Sequence, residues 1–129
     1  MGQPAAKQGD QIVAVDTHII LIPAIVPIPT PIPHPFNGTI SGNLSTNVTI
    51  MGRPAATLGS TADNIPPHIP QGGPFQRPPT NRGQIVSGSA RVQINGKPAA
   101  RNGDSALTCN DPVDLPVGTV MAIGTVLIG

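Results

Sequence analysis

Gly2-Gln3-Pro4-Ala5-Ala6-Lys7-Gln8-Gly9-Asp10, Gly52-Arg53-Pro54-Ala55-Ala56-Thr57-Leu58-Gly59-Ser60 and Gly96-Lys97-Pro98-Ala99-Ala100-Arg101-Asn102-Gly103-Asp104 are three copies of one phrase. Its pattern is G-x-P-A-A-x-x-G followed by Asp or Ser, and the copies start 50 and 44 residues apart. Repetition of this kind decides the architecture before any local propensity does. An alternating apolar stretch leads into the second copy, from Gly38-Thr39-Ile40 to Val48-Thr49-Ile50, and into the third, from Gly83-Gln84-Ile85 to Val92-Gln93-Ile94. Each approach reads as a hairpin. Pro and two Ala beside the glycine read as a tight turn where small side chains let backbones meet. The first copy has no such approach, but Gly118-Thr119-Val120 to Val126-Leu127-Ile128 supplies one at the other end. Residues 117–129 are therefore expected beside the N-terminus, completing the first repeat of a single pseudo-three-fold domain over residues 1–129.

Composition alone points elsewhere. Hydrophobic residues are 38% of the 129, two Phe are the only aromatics, and Pro and Gly make up about a quarter. Those proportions approach a flexible linker, yet spaced Val/Ile runs are what linkers lack. Ordering each residue costs roughly 1–2 kcal/mol of backbone entropy, and a core without large aromatics returns little per side chain. A structural metal or partner subunits are expected to make up the difference. A net charge of +1 with 10% charged residues leaves no electrostatic footprint for nucleic acid. One Cys excludes an internal disulfide framework. No secretory signal or transmembrane run is recognisable, so the expectation is synthesis in the cytoplasm and exit by another route.

Along the chain, residues 11–22 are β-branched and read as strand. Residues 23–35 are too rich in proline for helix and read as an extended apolar segment outside the sheet. Residues 61–82 and 105–117 read as loops. The fold class is all-β: a small β-hairpin assembly with Pro/Gly-rich loops and at most short 3₁₀ turns.

Four side chains carry metal-binding chemistry: His18, His34, His68 and Cys109. His18 lies 14 residues after Pro4, His68 lies 14 after Pro54, and Cys109 lies 11 after Pro98, where the loop is shorter. A three-fold arrangement brings these three to one point, with His34 as a fourth ligand from the proline-rich arm. Three His and one Cys fill a tetrahedral Zn²⁺ and leave no place for a reacting water, so the expected ion is structural. Asp16 and Asp63 are candidates for orienting the imidazoles. Motifs for catalysis are missing: no acidic pair, G-x-S-x-G, H-E-x-x-H or phosphate loop. A Cys109–His68 nucleophile pair is the weaker enzymatic alternative.

These residues resemble the PAAR-repeat family, whose signature stands verbatim as Pro98-Ala99-Ala100-Arg101 and loosely as Pro54-Ala55-Ala56-Thr57 and Pro4-Ala5-Ala6-Lys7. The resemblance implies a β-rich cone that caps the homotrimeric VgrG-type spike of type VI secretion or a related contractile injection system, one tip per trimer. It implies a zinc near the apex on His18, His34, His68 and Cys109, effector cargo carried on the tip, and transient contact with a target membrane that is pierced mechanically. It implies assembly at the spike apex and delivery out of the cell. No toxin extension accompanies the repeats, so a bare, non-enzymatic tip is expected. The Pro33-His34-Pro35-Phe36 arm looks more like the extracellular or phage-like branch. The alternatives are a stand-alone extracellular β binding module or adhesin, and a small zinc hydrolase.

Overall fold

A computed structural model describes residues 2–129. Among these residues the regular structure is all strand: β1 (Gln3–Pro4), β2 (Gln11–Ile22), β3 (Ile28–Gly42), β4 (Thr49–Ile50), β5 (Arg53–Pro54), β6 (Thr61–Asn64), β7 (Arg82–Ile85), β8 (Gln93–Ile94), β9 (Lys97–Pro98), β10 (Ser105–Thr108), β11 (Leu115–Met121) and β12 (Leu127–Ile128). Six of them close an antiparallel barrel in the order β10-β11-β2-β3-β6-β7. The other six form three two-stranded hairpins, β12–β1, β4–β5 and β8–β9.

The phrase is itself one strand of each hairpin, which differs from the sequence-based expectation. Pro4, Pro54 and Pro98 oppose Leu127, Thr49 and Gln93, and the preceding residues oppose Ile128, Ile50 and Ile94. The reversal comes before the proline rather than at it. Met51-Gly52 and Asn95-Gly96 both have positive φ (52° and 81°, 54° and 78°), the two-residue turn that matches strand twist. The segments expected to begin each hairpin, 38–40 and 83–85, belong to the barrel instead.

Ala-Ala then joins the copies. Ala6 N–H donates to Ala100 C=O (2.9 Å), Ala100 N–H to Ala56 C=O (3.1 Å), and Ala56 N–H to Ala6 C=O (3.0 Å), a closed cycle. Three segments of backbone converge there, and the methyl side chains of the alanines let them approach; all six alanines are at most 1% exposed. After the alanines, the Lys7, Thr57 and Arg101 amides donate to the side chains of Asp10, Ser60 and Asp104. That requirement for a short acceptor explains why the phrase ends in Asp or Ser. Gly9, Gly59 and Gly103, at φ 93°, 95° and 91°, then donate to the carbonyls of Ile40, Ile85 and Val120.

The barrel interior follows the same phase. Ile12, Ala62 and Ala106 each stand eight residues after a phrase proline, and they meet Ile40, Ile85 and Val120 with no exposure. Ala6, Ala56, Ala100 and Phe36 complete this cluster. A second cluster, Ala5, Ala55 and Ala99 with Ile50, Ile94 and Ile128, fills the hairpin end. Each large aliphatic side chain so buried contributes about 1.5–3 kcal/mol.

The segment at 23–35 is not merely extended. From Ile28 onward it is strand, paired to β2 over a continuous ladder from Gln11↔Thr39 to Ile22↔Ile28. Pro29, Pro31, Pro33 and Pro35 alternate within it. A proline cannot donate, so the hydrogen-bonded pairs must be those of Ile28, Thr30, Ile32, His34 and Phe36. The proline nitrogens therefore face the outer edge, where β6 covers β3 only from Gly38 onward. Two neighbours confirm this parity: Asn37 N–H donates outward to Asn64 Oδ1 (2.9 Å), and Leu21 N–H donates away from β3 to Pro74 C=O (2.9 Å). The arm thus presents an edge with acceptors and no donors, which cannot template another strand. Replacing Pro29, Pro31 and Pro33 together by Val restores three outward donors. The expected result is concentration-dependent self-association in sedimentation velocity that wild-type protein lacks; matching profiles would refute this account of the prolines.

Candidate metal centre

β2 begins directly after the first phrase, and His18 lies eight residues beyond Asp10, about 25 Å along the strand. The site therefore sits on the arm, far from the hairpins. His18 and His34 are 1% exposed, His68 9% and Cys109 2%. β2 supplies Asp16 and His18, β3 supplies His34, the turn after β6 supplies His68, and the residue after β10 is Cys109. Alternation along β2 and β3 turns Asp16, His18 and His34 inward.

The structure brings His18, His68 and Cys109 into one group with Asp16, while His34 packs its ring against those of His18 and His68 and is not part of that donor group. Ring centroids lie 4.9 Å apart for His18–His68 and 5.5 Å for both His18–His34 and His34–His68. Donor atoms of Asp16, His18, His68 and Cys109 all fall within 4.8 Å of one another, a group that could hold a metal ion. Asp16, expected only to orient a ring, stands in the centre. Its Oδ2 is 2.8 Å from His68 Nε2 and 3.4 Å from Cys109 Sγ, and Oδ1 accepts from Thr108 Oγ1. Asp63 does not reach the site: it is half exposed and pairs with Arg82 at 3.5 Å. Strand parity explains this, since Ala62 and Asn64 face inward on β6 and Asp63 faces out. Asn64 is the residue that meets His68 Nδ1, at 3.3 Å.

Sequence reading missed Asn64, Asn110, Asp111 and Phe75. Asp111 Oδ2 accepts from Ile19 N–H (2.8 Å) and lies 3.5 Å from His18 Nδ1. Arg77 pairs with its Oδ1 at 3.2 Å. Phe75 covers the rings of His18 and His34 at centroid distances of 5.7 and 5.5 Å. A bridge to Ile20 holds it there.

The electrostatics of the group follow from burial. Desolvation lowers the pKa of His18, against the opposing pull of the Asp111 carboxylate. Burial, reinforced by the nearby Asp16 carboxylate, pushes the Cys109 thiol up to about 11. Both nitrogens of His18 and Nε2 of His34 are buried without a hydrogen-bond partner. His34 Nδ1 lies 2.9 Å from Ile32 C=O, which fixes the proton on that nitrogen and leaves Nε2 as a bare lone pair. An unsatisfied buried polar atom costs about 1–3 kcal/mol. One such lone pair on His18 and one on His34, buried near a thiol, fit a cation of borderline softness.

The PAAR motif family matches this sequence over residues 32–114 and again over 76–129. The chain belongs to the PAAR-motif family. The two matches span the second and third phrases, His34, His68 and Cys109. No curated protein matches the chain. In this PAAR-motif protein the phrase and the candidate metal-binding group occupy different ends of the barrel strands, so the phrase shapes the body and contributes none of the four ligand candidates.

Proposed function

We propose that this chain is the tip of a contractile injection apparatus, closing a homotrimeric VgrG-type spike with one copy per trimer. The observation that carries this reading is the closed backbone cycle through Ala6, Ala56 and Ala100. A trimer ends in three equivalent sets of strands around one axis. A single chain matches that end only if it offers three alike edges, and the hairpins β12–β1, β4–β5 and β8–β9 are such a set. On this reading residues 1–129 act as one unit in which residues 117–129 complete the first repeat. The hairpin end, where Met51, Val92, Val126 and Leu127 are exposed, is the base. The arm is the apex, ending in the exposed Ile25 and Val26 that would meet the target membrane. No helix among the described residues is long and apolar enough to cross a membrane. Assembly at the spike apex, effector carriage and delivery from the cell belong to the same proposal.

We assign the metal as a structural Zn²⁺ held by His18, His34, His68 and Cys109. Imidazoles sharing a tetrahedral ion at about 2.0–2.1 Å have centroids about 5 Å apart, and the three rings are spaced to suit. When bound, the ion satisfies the buried lone pairs and locks β2, β3 and the two loops together. Thr108 holds Asp16, Ile32 holds His34, and Phe75 excludes water. With four protein ligands no position remains for substrate, in keeping with a structural family.

The test is a pull-down against trimeric VgrG-type spikes, with zinc measured in the same sample. One chain and one zinc per trimer are expected. Met51→Asp combined with Leu127→Asp should reduce capture at least tenfold while zinc content stays the same, because exposed substitutions cost little stability. No spike capture by wild type, with binding to another ligand instead, would favour a stand-alone binding module.

A further inference from the structure

We propose that Asp111 is a positioning residue that holds the proton of His18 on Nδ1, so that Nε2 is presented to the metal; the metal half of this statement rests on the function proposed above. The other two rings are already oriented by groups around them: His34 by the Ile32 carbonyl, and His68 by Asn64 and Asp16. His18 has neither a carbonyl nor an amide at hydrogen-bond distance. What faces its Nδ1 is the Asp111 carboxylate, 3.5 Å away and 4% exposed.

That carboxylate is fixed in place by the backbone on either side of His18. Asp111 N–H donates to Thr17 C=O (2.8 Å), and Ile19 N–H donates to Asp111 Oδ2 (2.8 Å). Asn110 adds a third contact, its Oδ1 accepting from Thr17 N–H (2.7 Å). Asn110 and Asp111 thus imitate a neighbouring strand on the outer edge of β2, and His18 cannot shift without carrying its carboxylate along. Arg77 closes the other side, with Nη2 3.2 Å from Asp111 Oδ1 and donating to Asn110 C=O (2.8 Å). A carboxylate accepts and does not donate. The nitrogen beside it is therefore the protonated one, and the lone pair is left on Nε2. A carboxylate that accepts the second N–H of a ligating imidazole orients the ring and raises its basicity, and losing such a partner typically costs 10–100-fold in metal affinity.

Asp111→Asn tests this, because the amide oxygen still caps Ile19 N–H but, without the charge, is a much weaker acceptor toward His18 Nδ1 than the carboxylate. Two readouts are needed. Nitrogen-15 correlation spectra of the metal-free protein report the His18 tautomer, and chelator competition reports the Zn²⁺ dissociation constant. Wild type is expected to carry the His18 proton on Nδ1, and Asp111→Asn to shift it toward Nε2 and weaken Zn²⁺ binding 10–100-fold. A wild-type His18 protonated on Nε2 overturns the proposal without any variant, as does a tautomer or an affinity that Asp111→Asn leaves unchanged. If wild type binds no Zn²⁺, the metal reading fails, while the metal-free spectra still judge Asp111 on its own.

Discussion

Stripping the ion with a strong chelator is expected to lower Tm by about 15 °C. At a thousandfold excess over Kd, a ligand that binds only the folded state stabilises it by about 4 kcal/mol. A domain of this size shifts by about 4 °C per kcal/mol. The effect should be large because so little else ties the arm down. Before Gly38 β3 lies outside the barrel, its outer edge lacks donors, and the two Phe are the only aromatics to thicken the core. Without the ion, His18 and His34 keep buried nitrogens that no protein group satisfies. His68→Ala should lose the zinc and melt lower still, since it also leaves the buried Asp16 carboxylate without its partner at 2.8 Å. Arg53→Ala, an exposed position on β5, should stay within about 0.5 kcal/mol of wild type. Calorimetry with and without chelator decides: equal melting points for His68→Ala and Arg53→Ala would count against any structural metal.

How much of this was legible depends on what each residue answers to. The phrase could be read because its constraints are local. Gly9, Gly59 and Gly103 need positive φ, and Asp10, Ser60 and Asp104 need a short acceptor three residues from an amide. The phase of His18 and His68 could be read because each follows its phrase proline by the same 14 residues. The arm was harder, since dense proline signals an unpaired extended chain. What reverses that signal is parity: with proline at every second position, the alternate amides remain free to pair, and the same residues protect the opposite edge. Asp63 misled because one step along β6 changes the face, and Asn64 occupies the inward place. Asp111 was invisible because its relation to His18 is made across 93 positions of chain by a loop that mimics a strand. No spacing rule reports such a contact.

The zinc affinity itself should depend on pH in a way that names the ligand. Metal takes Cys109 as thiolate, but the metal-free site keeps the thiol protonated, its pKa pushed up to about 11 by burial and Asp16. Binding therefore expels one proton at every pH below that value. The bound state holds fewer protons than the free state, so affinity rises as pH rises. His18 adds no proton release above its ordinary 6.5, because desolvation holds its pKa below that. Between pH 7 and 9 the association constant should grow about tenfold per unit, close to 1.4 kcal/mol for each. Competition against a chelator of known pH dependence measures this slope. Cys109→Ser, whose hydroxyl does not ionise in this range, should bind more weakly and lose most of the slope. A slope near one that disappears in Cys109→Ser identifies the thiolate as a ligand. A slope near zero in both proteins removes Cys109 from the coordination sphere and leaves the carboxylate of Asp16, already 2.8 Å from His68, as the anionic donor.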